Sequence, residues 1–381
     1  MTKPSPNRVA NRRNRTTRRR VHPPRRQSWN GLSPAEILKR YPPGKTPPLD
    51  VLEILISLFN TQHTATQKTV SFKTRQERAD FFRRFFRDLK DKTKFKTLPD
   101  PRNLGDCHIR AMVDIWQQER LAPATIQTYL SFLRGLAQWI GKPGFIRKPA
   151  FYGLTREEYE RHETAEEDKS WSAHGIEIDA LIADICRYDP YVGASMRLIR
   201  ALGLRRKEAL MFRPHSCVVP FEDTGLSLNK RKADRYAAIL AGSKGGRPRY
   251  IPLDTPARIE AVLHAQSLAT DRNAHMGRPG DSLKQSMKHF MYVMGKFGIT
   301  KSALGVTAHG LRHEALIERF EEITGQSPPV RDGERLPGDI DKAARSEVAD
   351  MAGHVRRRAS SAYLGAVLQK RRETKEGGWE E

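Results

Sequence analysis

Four short stretches carry side chains able to bind an anion, move a proton or attack. Gly203-Leu204-Arg205-Arg206-Lys207-Glu208 places a cluster of cations at a helix junction. Glu208, three residues after Arg205, can hold one guanidinium in place. In His309-Gly310-Leu311-Arg312-His313, the three-residue spacing of His309 and Arg312 puts both on one side of a helical turn. Gly353-His354 comes later, and Tyr363 stands nine residues beyond His354. Each taken alone is weak: an Arg-x-x-Glu is usually a surface pair, and a lone His-x-x-Arg usually has no role. Their order along one chain is what carries meaning.

The charge of the chain names a class of partner. Its 381 residues include 68 Lys and Arg against 44 Asp and Glu, a formal net charge of +24. A chain this basic is expected to meet a polyanion, with nucleic acid first among them. The length suggests two or three domains, and 38% hydrophobic residues are enough for ordinary cores. No run approaches the roughly 18 apolar residues of a spanning helix, which excludes a polytopic membrane protein. Cys107, Cys186 and Cys217 are odd in number, far apart and outside any CxxC pair, which argues against a disulfide framework or a zinc site and fits a reducing cytosol. No metal-ligand cluster stands out, and no cofactor is expected. The first residues lack the apolar segment of a secretory signal, and their prolines argue against a transit peptide.

Behind the reactive stretches lie elements that must position them. Residues 1–34 hold ten Lys and Arg and no acid, with Arg12-Arg13, Arg18-Arg19-Arg20 and Arg25-Arg26 among them. Such a segment cannot bury enough apolar surface to fold alone, and a disordered basic arm is expected, its arginines lying on nucleic acid. Residues 35–150 read as a small helical domain. Val51, Ile54, Leu55 and Leu58 recur at helical spacing. Phe82, Phe85, Phe86 and Leu89 form a second face, with Arg83, Arg84 and Arg87 opposite, either solvated or on nucleic acid. Ile109, Met112, Val113 and Trp116 form a third, with Asp106 as the expected N-cap. A fourth helix starts near Pro123 and carries Ile126, Leu130, Leu133, Leu136 and Ile140 to a stop at Gly141. Residues 151–170 sum to −4 and are expected to link this domain to a second, 171–381. There a helix through Val192, Met196, Ile199 and Leu202 closes at Gly203. Tyr236–Leu240 and Tyr250–Leu253 flank Gly242-Ser-Lys-Gly-Gly-Arg-Pro-Arg, the pattern of a β-hairpin. A helix resumes over Leu283, Met287, Phe290, Met291 and Met294, and another short apolar one is expected from Leu364 to Lys370. The fold class is mainly α with a small β-sheet.

The order arginine, hairpin lysine, His-x-x-Arg, Gly-His and tyrosine resembles the tyrosine recombinase, or phage-type integrase, family. The resemblance covers about 171–376, and 49–145 looks like that family's core-binding domain. Gly203 to Glu208 stands as the Gly-Leu-Arg-x-x-Glu motif and His309 to His313 as the His-x-Leu-Arg-His box. Ala352-Gly353-His354 carries Ala where Leu is usual. The resemblance implies Tyr363 as nucleophile, Arg205 and Arg312 bracketing the nonbridging oxygens of a phosphodiester, and His309 assisting proton movement at the Tyr363 hydroxyl. It further implies His354 on a nonbridging oxygen, Lys244 protonating the leaving 5′ oxygen, and Glu208 orienting Arg205. His313 would be structural or a secondary acid or base. The chemistry is consistent: a crowded, dianion-like phosphorane needs fixed cations, and the planar guanidinium fork supplies them. Lys244 competes with Lys230, Lys232 and Arg247, and is favoured because Gly-x-Lys-Gly-Gly precedes Tyr250-Ile-Pro-Leu as in the family.

Two departures stand out. Phe221 to Arg235 lengthens the path from Arg205 to Lys244, and the path from His309 to His354 holds Gly325-Gln-Ser-Pro-Pro and Asp332-Gly-Glu-Arg-Leu-Pro-Gly-Asp, expected as a surface loop. The resemblance implies an enzyme that acts on double-stranded DNA as two domains clamped around the duplex. It implies a homo-tetramer that packs its C-terminal helices onto neighbours, with an accessory DNA-bending protein as a further candidate partner, in a prokaryotic cytoplasm. A type IB topoisomerase shares the nucleophile and cations but would act as a monomer. A non-catalytic basic DNA-binding protein would be expected to have lost an arginine or the tyrosine.

Overall fold

Apolar residues at helical spacing build the first unit of the chain, residues 1–161, and a mixed helix–sheet core builds the second, residues 162–381. The computed structural model describes residues 29–62, 69–243 and 246–366. Arg12, Arg13, Arg18, Arg19 and Arg20, Lys244, and the segment from Val367 onward therefore lie outside the described residues.

The first unit contains α1 (Pro34–Lys39), α2 (Pro48–Phe59), α3 (Phe72–Lys92), α4 (Asp106–Gln118), α5 (Pro123–Trp139) and α6 (Arg156–Tyr159). Its core joins Val51 and Leu55 of α2, Phe82, Phe85, Phe86 and Leu89 of α3, Ile109 to Trp116 of α4, and Ile126 to Leu136 of α5. Each large apolar side chain removed from water here contributes about 1.5–3 kcal/mol. Gly105, not Asp106, occupies the cap position of α4; Asp106 is the first helical residue, where its charge still meets the positive helix end. Within the stretch 151–170, Arg156–Tyr159 is helical, and Gln117 of α4 donates to Glu158 at 2.8 Å.

The second unit runs α7 (Ile178–Tyr188), α8 (Pro190–Leu202), α9 (Arg206–Met211), β1 (Val218–Pro220), β2 (Arg235–Ile239), β3 (Arg249–Pro252), α10 (Pro256–Leu268), α11 (Leu283–Lys296), α12 (Ala308–Thr324), α13 (Gly338–Ala352) and α14 (Ser361–Leu364). The strands form one antiparallel sheet in the order β1-β2-β3, with Ala237 opposite Ile251 and Ala238 opposite Tyr250. The polar stretch from Phe221 to Arg235 supplies two 3₁₀ turns that carry the chain from β1 to β2. On α11, Phe290 and Met294 are buried but Met291 is half exposed, so the apolar face is narrower than the sequence pattern suggests.

The insertion after α12 is not a plain surface loop. A 3₁₀ turn, Pro329–Arg331, sends Arg331 inward, and Gly338 already begins α13. The last helix among the described residues covers Ser361–Leu364 and stops at Gly365, whose φ is 69°. Most of the apolar helix expected from Leu364 to Lys370 lies outside the described residues.

Candidate active site

The end of α8, α12, the end of α13 and α14 meet at the Arg312 side chain. α8 ends at Gly203, and Arg205 takes the cap position of α9. Glu208 lies one turn on, and its carboxylate accepts the Arg205 backbone N–H at 2.7 Å and the Arg205 guanidinium at 2.7 Å. The Arg-x-x-Glu pair is thus a buried bracket rather than a surface pair: Glu208 is 1% exposed. Arg249 of β3 donates to both Glu208 oxygens, at 2.9 and 2.7 Å. Burial alone would push the Glu208 carboxyl up, but the Arg249 and Arg205 bonds and charges outweigh it and bring it down to about 2.

Arg312, on the first turns of α12, is fully buried. Its guanidinium donates to the carbonyls of Gly203 and Ala352, the latter at 2.6 Å, and through Nε to the Tyr363 hydroxyl at 3.2 Å. This one side chain ties the end of α8, the end of α13 and α14 together. Burial lowers the Arg312 guanidinium to about 10, against which the Tyr363 charge works, so it stays cationic at neutral pH. His354, just beyond the glycine that ends α13, places Nε2 3.3 Å from the Tyr363 hydroxyl. With Arg312 donating to the Tyr363 oxygen, the phenol proton is free to point at His354. Tyr363 itself is 5% exposed.

His309 and His313 share one face of α12, their rings 5.1 Å apart. The His313 ring meets the Tyr363 ring edge-on at 4.8 Å, whereas the His309 ring lies 6.3 Å from it. The imidazole at the hydroxyl is therefore that of His354, and His309 is an exposed residue near the start of α12. Packing, then the charges of Arg312, Arg205 and Lys169, push His309 down to about 4. Burial, then His309, Lys169 and Arg312, push His313 down to about 3, against the pull of Asp168. Its Nδ1 is buried and meets no hydrogen-bond partner among the described residues.

These two imidazoles make stability fall with acid. Their folded values lie below the ordinary 6.5, so the unfolded chain takes up protons that the folded chain refuses. The stability they contribute is complete above about pH 6.5 and is lost as pH falls through the window down to about 3–4. The urea midpoint of the second unit should drop between pH 7 and pH 5, above the range where Glu208 titrates. The drop should shrink in His313→Phe. An equal midpoint at both pH values in the wild type would contradict the lowered values of these imidazoles.

A strap formed by residues 165–172 holds this machinery in register. Trp171, fully buried, donates from Nε1 to the Thr307 carbonyl at 2.8 Å, just before α12. Ala165 donates to the Ser361 carbonyl at 2.8 Å, two residues before Tyr363. Position 310 must be glycine for the strap to come this close: a Cβ there would lie 2.4 Å from the Lys169 carbonyl oxygen. Arg331, from the insertion, locks the strap to α12. It bonds Asp168 at 2.8 Å, Glu314 at 3.0 Å, Glu321 at 3.2 Å, and the hydroxyls of Ser170 and Ser172.

Removing the arginine takes the countercharge from buried Glu314, which keeps its bonds from the Ser172 N–H and hydroxyl; the cost is about 3–5 kcal/mol when both charged groups are dry. Arg331 keeps 22% of its side chain exposed, so Arg331→Ala should destabilise by about 2–3 kcal/mol. Urea unfolding would register this as a lower midpoint, and an unchanged midpoint would show the cluster to be ornamental.

Arg83, Arg84 and Arg87 are exposed on α3 and border a groove with Thr125, Thr128 and Tyr129 of α5. They are not bare charges. Arg83 is bidentate to Glu53, at 2.6 and 2.8 Å, Arg84 bonds the Tyr129 hydroxyl with its guanidinium 5.1 Å from the ring centroid, and Arg87 lies 3.6 Å from Asp88. Arg205, Glu208, His309, Arg312, His313, His354 and Tyr363 do come together. Arg249 and Arg331 were missed by the sequence reading. A signal for Arg249 existed: it shares the inward register of its strand with Ile251, and an arginine there must be paired.

Among the described residues no group of His, Cys, Asp and Glu could hold a metal ion, and no helix is long and apolar enough to cross a membrane. The chain thus has a helical unit and a second unit of helices around a three-stranded sheet, and the second unit bears the Arg–His–Tyr cluster. The family model described as Integrase matches residues 167–317, and the one described as Phage integrase, N-terminal, matches residues 59–145. The chain belongs to the tyrosine recombinase, or phage-type integrase, family. The first match contains Arg205, Glu208 and His309 to His313; His354 and Tyr363 lie beyond it.

Two solved structures share the fold. A lambda integrase tetramer bound to a Holliday junction aligns at a TM-score of 0.51 and 14% identity, over 89% of this chain and 83% of that one. A lambda integrase dimer bound to a COC′ core site aligns at 0.50 and 14%, over 87% and 98%. No curated protein matches the sequence.

Proposed function

We propose that the protein is a site-specific DNA recombinase that cuts and rejoins duplex DNA through a 3′-phosphotyrosine intermediate, integrating or excising a mobile element. The observation that carries this reading is the Tyr363 hydroxyl, held between a buried guanidinium at 3.2 Å and an imidazole at 3.3 Å. The Tyr363 oxygen attacks phosphorus, the O–P bond forms, and the bond from phosphorus to the 5′ oxygen breaks. The phenol proton passes to His354, and the departing 5′ oxygen takes a proton from Lys244. Arg205 and Arg312 stabilise the charge that gathers on the nonbridging oxygens. His309, neutral and exposed, donates to one of them, so the two histidines exchange the roles expected from sequence. The phosphotyrosine retains the energy of the broken bond, so a 5′ hydroxyl can reverse the step without metal or nucleotide.

The same reading assigns the arm of residues 1–34 and the α3–α5 groove to DNA, and a homo-tetramer to the exchange step, with a DNA-bending protein as an accessory. Incubation with nicked duplex carrying the end of the element should trap a covalent protein–DNA adduct. A protein that binds this DNA but never forms the adduct would sink the enzymatic reading.

A further inference from the structure

Arg249 lies outside every motif that points to catalysis, yet it connects three of the elements that build the centre. It is 8% exposed, so it cannot lie along a DNA backbone. Its two terminal nitrogens grip Glu208, and its Nε donates to the Met351 carbonyl at 2.9 Å. Met351 precedes Ala352, whose carbonyl holds Arg312, and lies three residues before His354. Glu208 holds Arg205 by backbone and side chain and comes within 3.9 Å of Arg312. One carboxylate therefore faces three guanidiniums.

The other arm of the same hairpin is also seated on α9. A Cβ at Gly242 would lie 2.9 Å from the Lys207 carbonyl oxygen and 3.1 Å from the Glu208 Cα, closeness that only glycine allows. The β2–β3 hairpin is thus pinned to the Glu208 helix at both ends of its connection, by Gly242 before it and Arg249 after it.

We infer that Arg249 is a positioning residue for strand cleavage: it holds Glu208 ionised and aimed, and through Glu208 and Met351 it keeps Arg205, His354 and the hairpin in one register. The inference rests on the recombinase reading. Without Arg249, Glu208 remains buried with the Arg205 contacts and the more distant Arg312 as its compensation. A buried carboxylate that loses its best partner takes up a proton more readily, and a protonated Glu208 releases its grip on Arg205.

The test uses the full chain, with Arg249→Met and Arg249→Lys compared with wild type. DNA affinity is measured by titration, and adduct formation from nicked duplex is measured in single turnover from pH 5 to pH 8. Affinity should stay within about twofold, because Arg249 is too buried to touch DNA. The adduct rate at pH 7.5 should fall by about 10- to 100-fold in Arg249→Met, as when an outer partner of a catalytic group is lost. The acid limb of its pH profile should move upward as Glu208 begins to titrate. Arg249→Lys should recover part of the rate. Should the methionine variant fail to fold, the lysine variant reads the same shift.

A wild-type rate and pH profile in the variants, or a loss equal at every pH that merely tracks lower thermal stability, would overturn the inference. Failure of the wild type itself to form the adduct would overturn the recombinase reading instead, so the two failures are separable.

Discussion

Tyr363→Phe should abolish covalent attachment to DNA altogether while leaving a folded protein that binds DNA as the wild type does. The ring of Tyr363 is 5% exposed and packs edge-on against His313, contacts that phenylalanine keeps. What disappears is one oxygen and its bonds to Arg312 and His354. The stability cost of leaving the Arg312 Nε donor unpaired is about 1–3 kcal/mol, which a domain of this size tolerates. The chemical cost has no such limit, because phenylalanine carries no oxygen with which to attack phosphorus. Trapping with nicked duplex, read on a denaturing gel, checks the result, and binding measured by gel shift provides the control. Adduct at even one-hundredth of the wild-type yield would move the nucleophile elsewhere.

Arg312→Lys should reduce the adduct rate by about 10³-fold, although the formal charge is kept. Each of the three guanidinium nitrogens has its own acceptor: the Gly203 carbonyl, the Ala352 carbonyl and the Tyr363 oxygen. An ammonium is a compact point with three tetrahedral donors, and it cannot reach three groups placed for a flat fork. Arg312→Ala should be worse in a second way. It leaves the two carbonyls buried without a donor, at about 1–3 kcal/mol for each, and removes the cation that faces Glu208 at 3.9 Å. Single-turnover cleavage together with urea unfolding separates the two effects. The lysine variant should lose rate with little stability, and the alanine variant should lose both. Near-wild-type cleavage by the lysine variant would show that charge alone, not the geometry of the fork, is what the site needs.

The helical unit was largely legible because its signal is local. Phe82, Phe85, Phe86 and Leu89 repeat with the period of a helix, and all four are buried on one face of α3. The β2–β3 pairing was legible for the same reason, since two apolar runs flank a glycine-rich connection. Partners across the chain were not. Nothing local tells Arg83 that Glu53, thirty residues earlier, will neutralise it. Nothing in Asp332-Gly-Glu-Arg-Leu-Pro-Gly-Asp says that the neighbouring Arg331 will turn inward to a strap more than 150 residues away. The proline- and glycine-rich composition there reports turns, and turns can deliver a buried side chain as readily as an exposed loop.

The division between the two histidines shows where the limit lies. By itself the sequence determined that the protein is basic and mainly helical, and that it carries two arginines, three motif histidines and one tyrosine in a fixed order, because residue type and spacing are one-dimensional facts. Only the tertiary structure decided which imidazole meets the hydroxyl. Spacing along α12 puts His309 and Arg312 on one face, but the distance from Tyr363 to His354 depends on where α13 ends and how α14 returns. The buried Arg312 fork and the Arg249–Glu208 pair fix those positions, through hydrogen bonds between elements far apart in sequence. Such bonds are enforced by the cost of leaving buried donors and carbonyls unpaired, a term that exists only once the chain has closed around them.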